Sequence, residues 1–377
     1  MEHNEQLFLT GLHIEQYRHA TFIAKDYYEE ALRRDKKDAR NNNALGLWYL
    51  RRGKFAKAES FFRTAIQTLT ERNPNPYNGE PWYNLGMALK MQRKTDKAYD
   101  AFYKAVWNDA WQHAGYLQLA RIACMHSNDS SALELIDKSL VKNYHSHTAR
   151  HAKVFILRKL NNTKEALAIC KASLEIDPFN FGCHYENYLL HIEANDDAKA
   201  AESLALLKKI SRNWEHNFIE YAFDYADAGL WEEAINFLKV QTTDNTAPYP
   251  MILYYLGYFA IQLGQKEKAF EYFDEASKLK PDYCFPNRIE DINVLQTATL
   301  LNPKDAKAFY YLGNLWYDKR QYEDAIECWG RSVATDDSFP IPFRNLSLAY
   351  YNKLQQNDKA LQYMERAFSL DTNDSRI

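Results

Sequence analysis

Apolar side chains recur along this chain at the intervals of an α-helix. Ala58, Phe62 and Ala65 are spaced i, i+4 and i+7, which places them on one face of a helix, and the same spacing returns in later segments. Gly and Pro number only 12 and 11 among 377 residues, too few for the many turns of a β sandwich or barrel. The pattern predicts an all-α chain of helices joined by short loops.

The amphipathic segments repeat with a period of 34 residues. Successive segments are 34 or 35 residues apart, except where about six residues are inserted around Asn73–Asn78 and where an extra helix is predicted from Cys284 to Asp305. A fixed period of this size is typical of stacked helix pairs. The alanine that marks the repeat recurs as Ala58, Ala98, Ala132, Ala166, Ala200, Ala234, Ala269, Ala325 and Ala360.

Three further columns keep a fixed distance from the marking alanine. In the repeat of Ala98, the pair Leu85–Gly86 precedes it, and the large Phe102 and the small Ala105 follow it. We expect the small residues to let the two helices of a repeat approach closely, and the large residue to fill the gap between neighbouring repeats. Lys153–Val154 and Asn187–Tyr188 replace the Leu-Gly pair in two repeats, so helix spacing there is less well defined.

These columns resemble the tetratricopeptide repeat over nearly the whole chain. The resemblance implies a right-handed helical-repeat solenoid of about nine to ten helix pairs, with nine repeats that start near residues 39, 79, 113, 147, 181, 215, 250, 306 and 340. It divides the chain into an N-terminal partial repeat (1–38), a first block of repeats (39–283), the extra helix (284–305) and C-terminal repeats (306–377).

A narrower resemblance concerns the N-terminal third. Segments such as LFLTGLHIEQYRHA and ERNPNPYNGEPWYNLGMALK are similar to the repeat-bearing C-terminal part of a bacterial multidomain family. In that family a β-rich domain of uncertain function, suspected to act in carbohydrate metabolism, precedes the repeats. No such domain is present in this sequence, so the resemblance assigns no activity to any residue here.

Charge and cysteine content narrow the classes of partner and compartment. The net charge of −3 leaves no positive field for nucleic acid or an anionic membrane. Residues 1–212 nevertheless carry 31 Lys and Arg against 25 Asp and Glu, and residues 213–377 carry 16 against 25. Five dispersed cysteines without a CxxC motif indicate a reducing compartment. With no signal sequence and no apolar stretch of membrane-spanning length, we expect a cytoplasmic protein.

Candidate binding residues follow from the helix register. In tetratricopeptide arrays the first helix of each pair lines the concave side, and its second, fifth, ninth and twelfth positions face outward; we name these the groove positions. Aromatic, Arg and Asn side chains there suit a peptide, a partner protein or stacked sugar rings, while the alternative is that they only pack helix against helix. The candidates are Tyr83, Met87, Arg121, Phe155, Arg158, Tyr185, Tyr254, Tyr258, Tyr310, Asn314, Tyr317 and Arg344.

More specific chemistry finds little support in the sequence. His147 and His151 have the i, i+4 spacing of two metal ligands, but no third ligand is specified, and we expect solvated or hydrogen-bonded histidines. A clamp for a peptide C-terminus is only partly present, because Asn314 and Asn345 match its columns while Tyr310 takes the lysine column. No catalytic motif was found. We expect a scaffold without enzymatic activity, metal or cofactor.

Both ends of the array carry apolar residues. The last predicted helix, about Asp358 to Leu370, presents Leu361 and Phe368, and Leu7 and Leu9 lie near the N-terminus. Stacked repeats need polar terminal faces, so we expect these ends to be covered by another domain or by a second copy of the chain. The resemblance to the bacterial multidomain family implies an alternative role, that of a dimerisation or substrate-adjacent module of a bacterial carbohydrate-active enzyme.

Overall fold

The computed structural model describes residues 3–17, 21–243 and 248–372. The chain divides into two compact units, unit 1 from Met1 to Phe237 and unit 2 from Leu238 to Ile377. Within the described residues all regular structure is helical and no strand occurs. The all-α prediction is therefore confirmed.

Unit 1 is a series of α-helices with one short 3-10 turn at Asp109–Trp111. Each pair consists of a first and a second helix, and α14 (Trp231–Thr242) runs past the boundary into unit 2. The other helices are α1 (Asn4–Tyr17), α2 (Ala24–Arg34), α3 (Ala39–Leu50), α4 (Phe55–Thr70), α5 (Glu80–Met91), α6 (Thr95–Ala105), α7 (Gln112–Met125), α8 (Asp129–Lys142), α9 (His147–Lys159), α10 (Thr163–Ile176), α11 (Phe181–Glu193), α12 (Asp197–Ser211) and α13 (Glu215–Ala226).

Unit 2 continues the pattern with an additional helix, α17, between two pairs. The predicted extra segment of residues 284–305 holds a helix only over its central part, because Pro286 cannot donate a backbone hydrogen bond and residues before Glu290 form a loop. The helices are α15 (Pro250–Gln262), α16 (Lys266–Lys278), α17 (Glu290–Leu301), α18 (Ala306–Asp318), α19 (Tyr322–Thr335), α20 (Pro340–Asn352) and α21 (Asn357–Leu370).

The nine first helices begin within one residue of the predicted repeat starts. They start at Ala39, Glu80, Gln112, His147, Phe181, Glu215, Pro250, Ala306 and Pro340. The N-terminal segment holds a full pair, α1 and α2, and the rings and methyl groups of Tyr28 and Ala31 are buried in it. The described helices thus form ten successive pairs, in agreement with the predicted nine to ten.

Side-chain packing explains why the same residue types recur in each repeat. All nine marking alanines are at most 5% exposed. The large residue four positions later packs against the glycine of its own first helix: a Cβ added to Gly86 would lie 2.5 Å from the Phe102 ring, and one added to Gly313 would lie 2.5 Å from the Trp329 ring. The expectation that this residue fills the gap between neighbouring repeats is therefore wrong for these pairs, since the ring lies inside its own pair.

A left-handed residue lies five positions before the marking alanine in every repeat. Gly53, Gly229 and Gly264 occupy this column with φ near +75°, and non-glycine residues such as Asn161 and Asn195 occupy it with φ of 57° and 54°. Gly and Asn tolerate this conformation best. The column therefore fixes the turn between the two helices of each pair.

Candidate binding surface on the first helices

In unit 1 the groove positions of several first helices face another helix of the same chain. Helix α13 contacts α9 and α11 directly, its Asp224 side chain reaches α7, and Asp227, just after its end, reaches α5. The Arg121 guanidinium on α7 donates to Asp224 on α13 at 2.5 Å and to Asp227 just after α13 at 3.0 Å. The side chain of Arg121 is only 8% exposed, so this ion pair is largely shielded from water.

Lys90 extends the ion-pair cluster to α5. Its Nζ donates to Asp227 at 2.7 Å and to the Gln118 side-chain oxygen at 3.1 Å. Burial by itself raises the pKa of Asp227, but the Lys90 ammonium and the Arg121 guanidinium outweigh it and hold that pKa below its usual range. One carboxylate thus links cations from two first helices that lie more than a hundred residues earlier in the chain.

His151 on α9 provides a fully buried contact to α13. Its Nδ1 lies 2.9 Å from an Asp224 oxygen, while its Nε2 has no hydrogen-bond partner in the described structure. The ring lies against Gly182 of α11, where an added Cβ would be 2.6 Å from it. Glycine at position 182 therefore allows α11 to approach the imidazole closely.

A second buried charge pair lies between α9 and α11. The Arg158 guanidinium donates to both oxygens of Glu186, at 2.7 and 3.3 Å, and Glu186 is fully buried. The hydroxyl of Tyr225, on α13, donates to the same carboxylate at 2.6 Å. Burial lowers the pKa of Arg158, but the adjoining Glu186 carboxylate raises it further than burial lowers it. Both Glu186 oxygens therefore accept hydrogen bonds from one buried guanidinium.

Aromatic side chains surround Tyr225. Its ring centroid is 4.9 Å from that of His151, 5.6 Å from Phe155 and 6.2 Å from Tyr185. These spacings and the mostly edge-on orientations are typical of favourable aromatic pairs. Tyr225 is fully buried, so α13 inserts a polar aromatic side chain into a pocket made by α9 and α11.

The predicted residues of unit 1 therefore fall into two groups. Arg121, Phe155, Arg158 and Tyr185 all lie on first helices and contact α13 or its hydrogen-bonding partner Glu186. Tyr83 stacks on Trp111 at 4.7 Å and is half-buried, as is Met87. Burial raises the pKa of Tyr83. Sequence reasoning missed Asp224 and Asp227, although residues 214–229 hold four acidic residues and no Lys or Arg.

In unit 2 most of the predicted tyrosines are buried. Tyr254 is fully buried and its hydroxyl donates to Asp305 at 2.8 Å; Tyr258 and Tyr310 are 8% and 7% exposed. Tyr317 is half-buried with its ring 5.5 Å from Trp329. The tyrosine spacing predicts that these four rings form an exposed strip. That prediction is wrong for Tyr254, Tyr258 and Tyr310, because their rings pack between helices.

The polar candidates of unit 2 form a short row. Asn314 Oδ1 accepts hydrogen bonds from Trp329 Nε1 at 3.0 Å and from the Asn345 amide at 2.9 Å. Arg344 donates to the Asn345 oxygen at 3.1 Å. Asn314 and Arg344 are both half-buried, and Tyr351 on the same helix as Arg344 is 60% exposed. This row leaves polar and aromatic atoms at the surface.

Metal and membrane sites find no support in the described part of the chain. It contains no group of three or more His, Cys, Asp or Glu placed to hold a metal ion. His147 lies 3.7 Å from Asp177, and His151 is engaged with Asp224. Across residues 3–17, 21–243 and 248–372, no helix has the length and apolar character needed to cross a bilayer.

Comparison with solved structures finds several helical-repeat proteins of low sequence identity. A tetratricopeptide repeat protein from Parabacteroides merdae is 16% identical, with 73% of this chain and 98% of that chain covered and a TM-score of 0.45. YrrB, described as a TPR protein with an unusual peptide-binding site, is 16% identical over 64% of this chain and 94% of its own, with a TM-score of 0.23. The Naa15/Naa10 complex bound to HypK-THB is 14% identical over 98% and 64%, with a TM-score of 0.37.

Family models described as tetratricopeptide repeat match five stretches in both units. The matched residues are 23–76, 147–180, 250–283, 292–340 and 345–374. Together they span more than half of the chain, and they agree with the helix pairs and the buried alanine column described above. The chain is therefore a tetratricopeptide-repeat protein.

Proposed function

We propose that this chain is a non-enzymatic protein-interaction scaffold that holds a helical segment of a partner across the first helices of unit 2. The observation that carries the proposal comes from unit 1. There, groove positions chosen by repeat register, among them Arg121 and Phe155, contact a helix. Three of the corresponding positions in unit 2 are buried, and the half-buried ones, Asn314, Tyr317 and Arg344, are the surface to which a partner helix would bind.

The chemistry of that surface in unit 2 suits a polypeptide. Asn314 and Arg344 offer amide and guanidinium groups, and Tyr317 and Tyr351 offer ring faces with few rotatable bonds. A guanidinium can take a carboxylate in two hydrogen bonds, and tyrosine contributes contact area at low entropic cost. Buried Tyr310 lies in the column where a C-terminal clamp would need lysine, so we favour an internal helical segment over a free C-terminus.

The alternative role in a carbohydrate-active enzyme depends on a domain outside the repeats. All regular structure in the described residues is helical, and the groove tyrosines Tyr254, Tyr258 and Tyr310 are buried. No observation in these units favours a sugar over a peptide, and we keep the protein-binding role as the single proposal.

Site-specific photocrosslinking tests the proposal. A benzophenone amino acid is placed at Tyr317 or Tyr351 in the full chain and irradiated in cells, with exposed Phe270 and Tyr283 as control positions. We expect both test positions to give an adduct with the same partner, and Arg344→Glu to reduce its yield. Equal labelling from the control positions, or no adduct from either test position, would contradict a binding surface at this row.

A further inference from the structure

We propose that the first helices of unit 1 form a receptor for an acidic, tyrosine-bearing helix, and that α13 is its resident occupant, which a partner helix of the same chemistry displaces. This receptor is distinct from the surface proposed in unit 2. Its ligand class, an acidic helix that carries a tyrosine, is not defined by the repeat fold alone.

Charge is complementary between α13 and the helices beneath it. The stretch from Trp214 to Gly229 holds four acidic residues and no basic one, whereas α9 holds four Lys or Arg and no Asp or Glu. Asp224 and Asp227 are three residues apart, a spacing that directs both carboxylates to one side of a helix. Arg121 binds both of them. The surplus of basic residues before position 213 and of acidic residues after it therefore meets, in part, inside one unit.

The α13 contact has the composition of a protein–protein interface. Its centre is the fully buried Tyr225, whose hydroxyl bonds to Glu186 and whose ring meets His151 and Phe155. Tyrosine and arginine anchors in desolvated pockets dominate the energy of such interfaces. Earlier first helices instead pack against the second helix before them, as α5 does on α4 and α7 on α6.

The ends of α13 allow it to be treated as a separate ligand. Left-handed residues flank it on both sides, Arg212 and Asn213 before it and Gly229 after it, so the chain reverses direction at each end. The carboxylates of Asp224 and Asp227 remain 12% and 23% exposed. Removing α13 from the groove would break these ion pairs and the contacts of Phe218 and Tyr225 with Phe237 on α14, but it would leave intact the alanine and glycine columns that hold α3 to α12 together.

An intramolecular occupant excludes weak competitors by its high effective concentration. A segment joined by a short linker competes at roughly millimolar effective concentration. A free helix with the sequence of α13 should therefore bind weakly to the wild-type chain, and it should bind much better when the resident helix is weakened. This difference in peptide affinity distinguishes an exchangeable helix from one that is a permanent part of the fold.

The decisive experiment measures a synthetic peptide in trans. A fluorescein-labelled peptide of residues 213–230 is titrated into the full chain carrying Asp224→Ala and Asp227→Ala, which weakens α13 but leaves the receptor residues unchanged. We expect one peptide to bind per chain, at least tenfold more tightly than to wild type. The control Asp197→Ala/Glu202→Ala, on exposed positions of α12, changes net charge equally and should behave as wild type.

Two further variants identify the contacts. A peptide with both aspartates replaced by asparagine should bind at least tenfold more weakly, and Arg121→Gln added to the receptor chain should remove binding of the unaltered peptide. Equal affinity of the double variant and wild type, or no binding to a double variant that keeps its helical circular dichroism, would overturn the proposal. These outcomes leave the crosslinks predicted for unit 2 unaffected.

Hydrogen exchange of the wild-type chain covers the case in which the double variant does not fold. With millimolar peptide, we expect amides of α13 to lose protection while those of α9 keep theirs, because the resident helix leaves and the receptor stays folded. Unchanged protection of α13 at saturating peptide would show that the peptide does not displace α13, and it would overturn the proposal. The single change Asp227→Asn gives the same comparison with a smaller perturbation.

Discussion

The two units bury charge in different ways. Unit 1 buries ion pairs between helices, both between neighbouring first helices, as Arg158 with the fully buried Glu186, and between distant ones, as Arg121 with Asp224. Unit 2 buries carboxylates beside tyrosines, with Tyr254 donating to Asp305 and Tyr255 donating to Asp291. Burial raises the pKa of both aspartates, and the hydrogen bonds they accept only partly oppose it. Buried carboxylates thus face Arg158 or Arg121 in unit 1, whereas in unit 2 those of Asp291 and Asp305 face tyrosine hydroxyls.

The two kinds of buried contact predict different sensitivity to substitution. A buried ion pair is held by its partner, and the loss of one member leaves an uncompensated charge. A tyrosine–carboxyl contact can lose its hydroxyl while the carboxyl keeps other donors, as Asp305 does from the Ala308 amide. We therefore expect unit 1 to suffer more from single polar substitutions than unit 2.

The largest effect is expected for Glu186→Ala. This change leaves the buried Arg158 guanidinium and the Tyr225 hydroxyl without their main acceptor, and should lower the free energy of unfolding by about 3–5 kcal/mol. Denaturant titration followed by circular dichroism measures it. The matched control is Glu193→Ala, since Glu193 contacts the same arginine but is 46% exposed, and should cost less than about 1 kcal/mol. Equal losses would show that burial does not decide the energy.

The second effect compares two glycines of one helix pair in unit 2. Gly313→Ala places a methyl group against the Trp329 ring and should cost about 1–3 kcal/mol. Gly330→Ala, on α19, meets no atom within 4 Å and should stabilise by about 0.5–1 kcal/mol through helix propensity. Thermal melts of both variants measure the difference. A stabilised Gly313→Ala protein would refute the close-approach explanation of the glycine column.

A smaller effect is expected for Tyr254→Phe. The buried Asp305 would lose one hydrogen-bond donor but keep its capping bond to α18, so we expect a loss of about 1–2 kcal/mol. Urea unfolding of the variant beside wild type gives the value. A loss as large as that of Glu186→Ala would remove the proposed contrast between the units.

The smallest effect concerns Glu59, at a contact between repeats near the surface of unit 1. Burial raises its pKa, but hydrogen bonds from Lys94, Arg63 and Gln92 outweigh burial and bring it to about 2. This pKa is below the value of about 4.3 in the unfolded chain. Glu59 therefore contributes fully to the free energy of unfolding above pH ~4.3, and this contribution is lost as pH falls towards 2. Glu59→Gln should cost about 0.5–1 kcal/mol at pH 7 and nothing below pH 2, measured by unfolding across that range.

The helical part of the structure was predictable because its determinants are local. The marking alanines, such as Ala98 and Ala325, and the glycines that receive aromatic rings recur at fixed distances, so helix starts followed to within one residue. The left-handed turn column was present as Gly53, Asn161 and Gly264 but was not recognised. Each of these features is defined by residues within a single repeat.

The occupant of the groove in unit 1 was not predictable from such windows. Register identified Arg121 as a groove residue, but its partner Asp224 lies 103 positions later. Part of the charge asymmetry on either side of residue 212 is satisfied within unit 1, where Arg121 binds Asp224 and Asp227. The tyrosines of unit 2 were expected at the surface, because spacing does not reveal that Asp305 receives the Tyr254 hydroxyl in a buried position.

The ion pair between Lys90 and Asp227 has a consequence for how unit 1 folds. In a linear repeat array each repeat touches only its neighbours, so folding can begin anywhere and spread. Here a contact joins residues 137 positions apart, and forming it requires closure of a long loop. Such non-local contacts raise contact order and slow folding. We therefore expect unit 1 to fold as one cooperative unit rather than repeat by repeat, with α13 docking late.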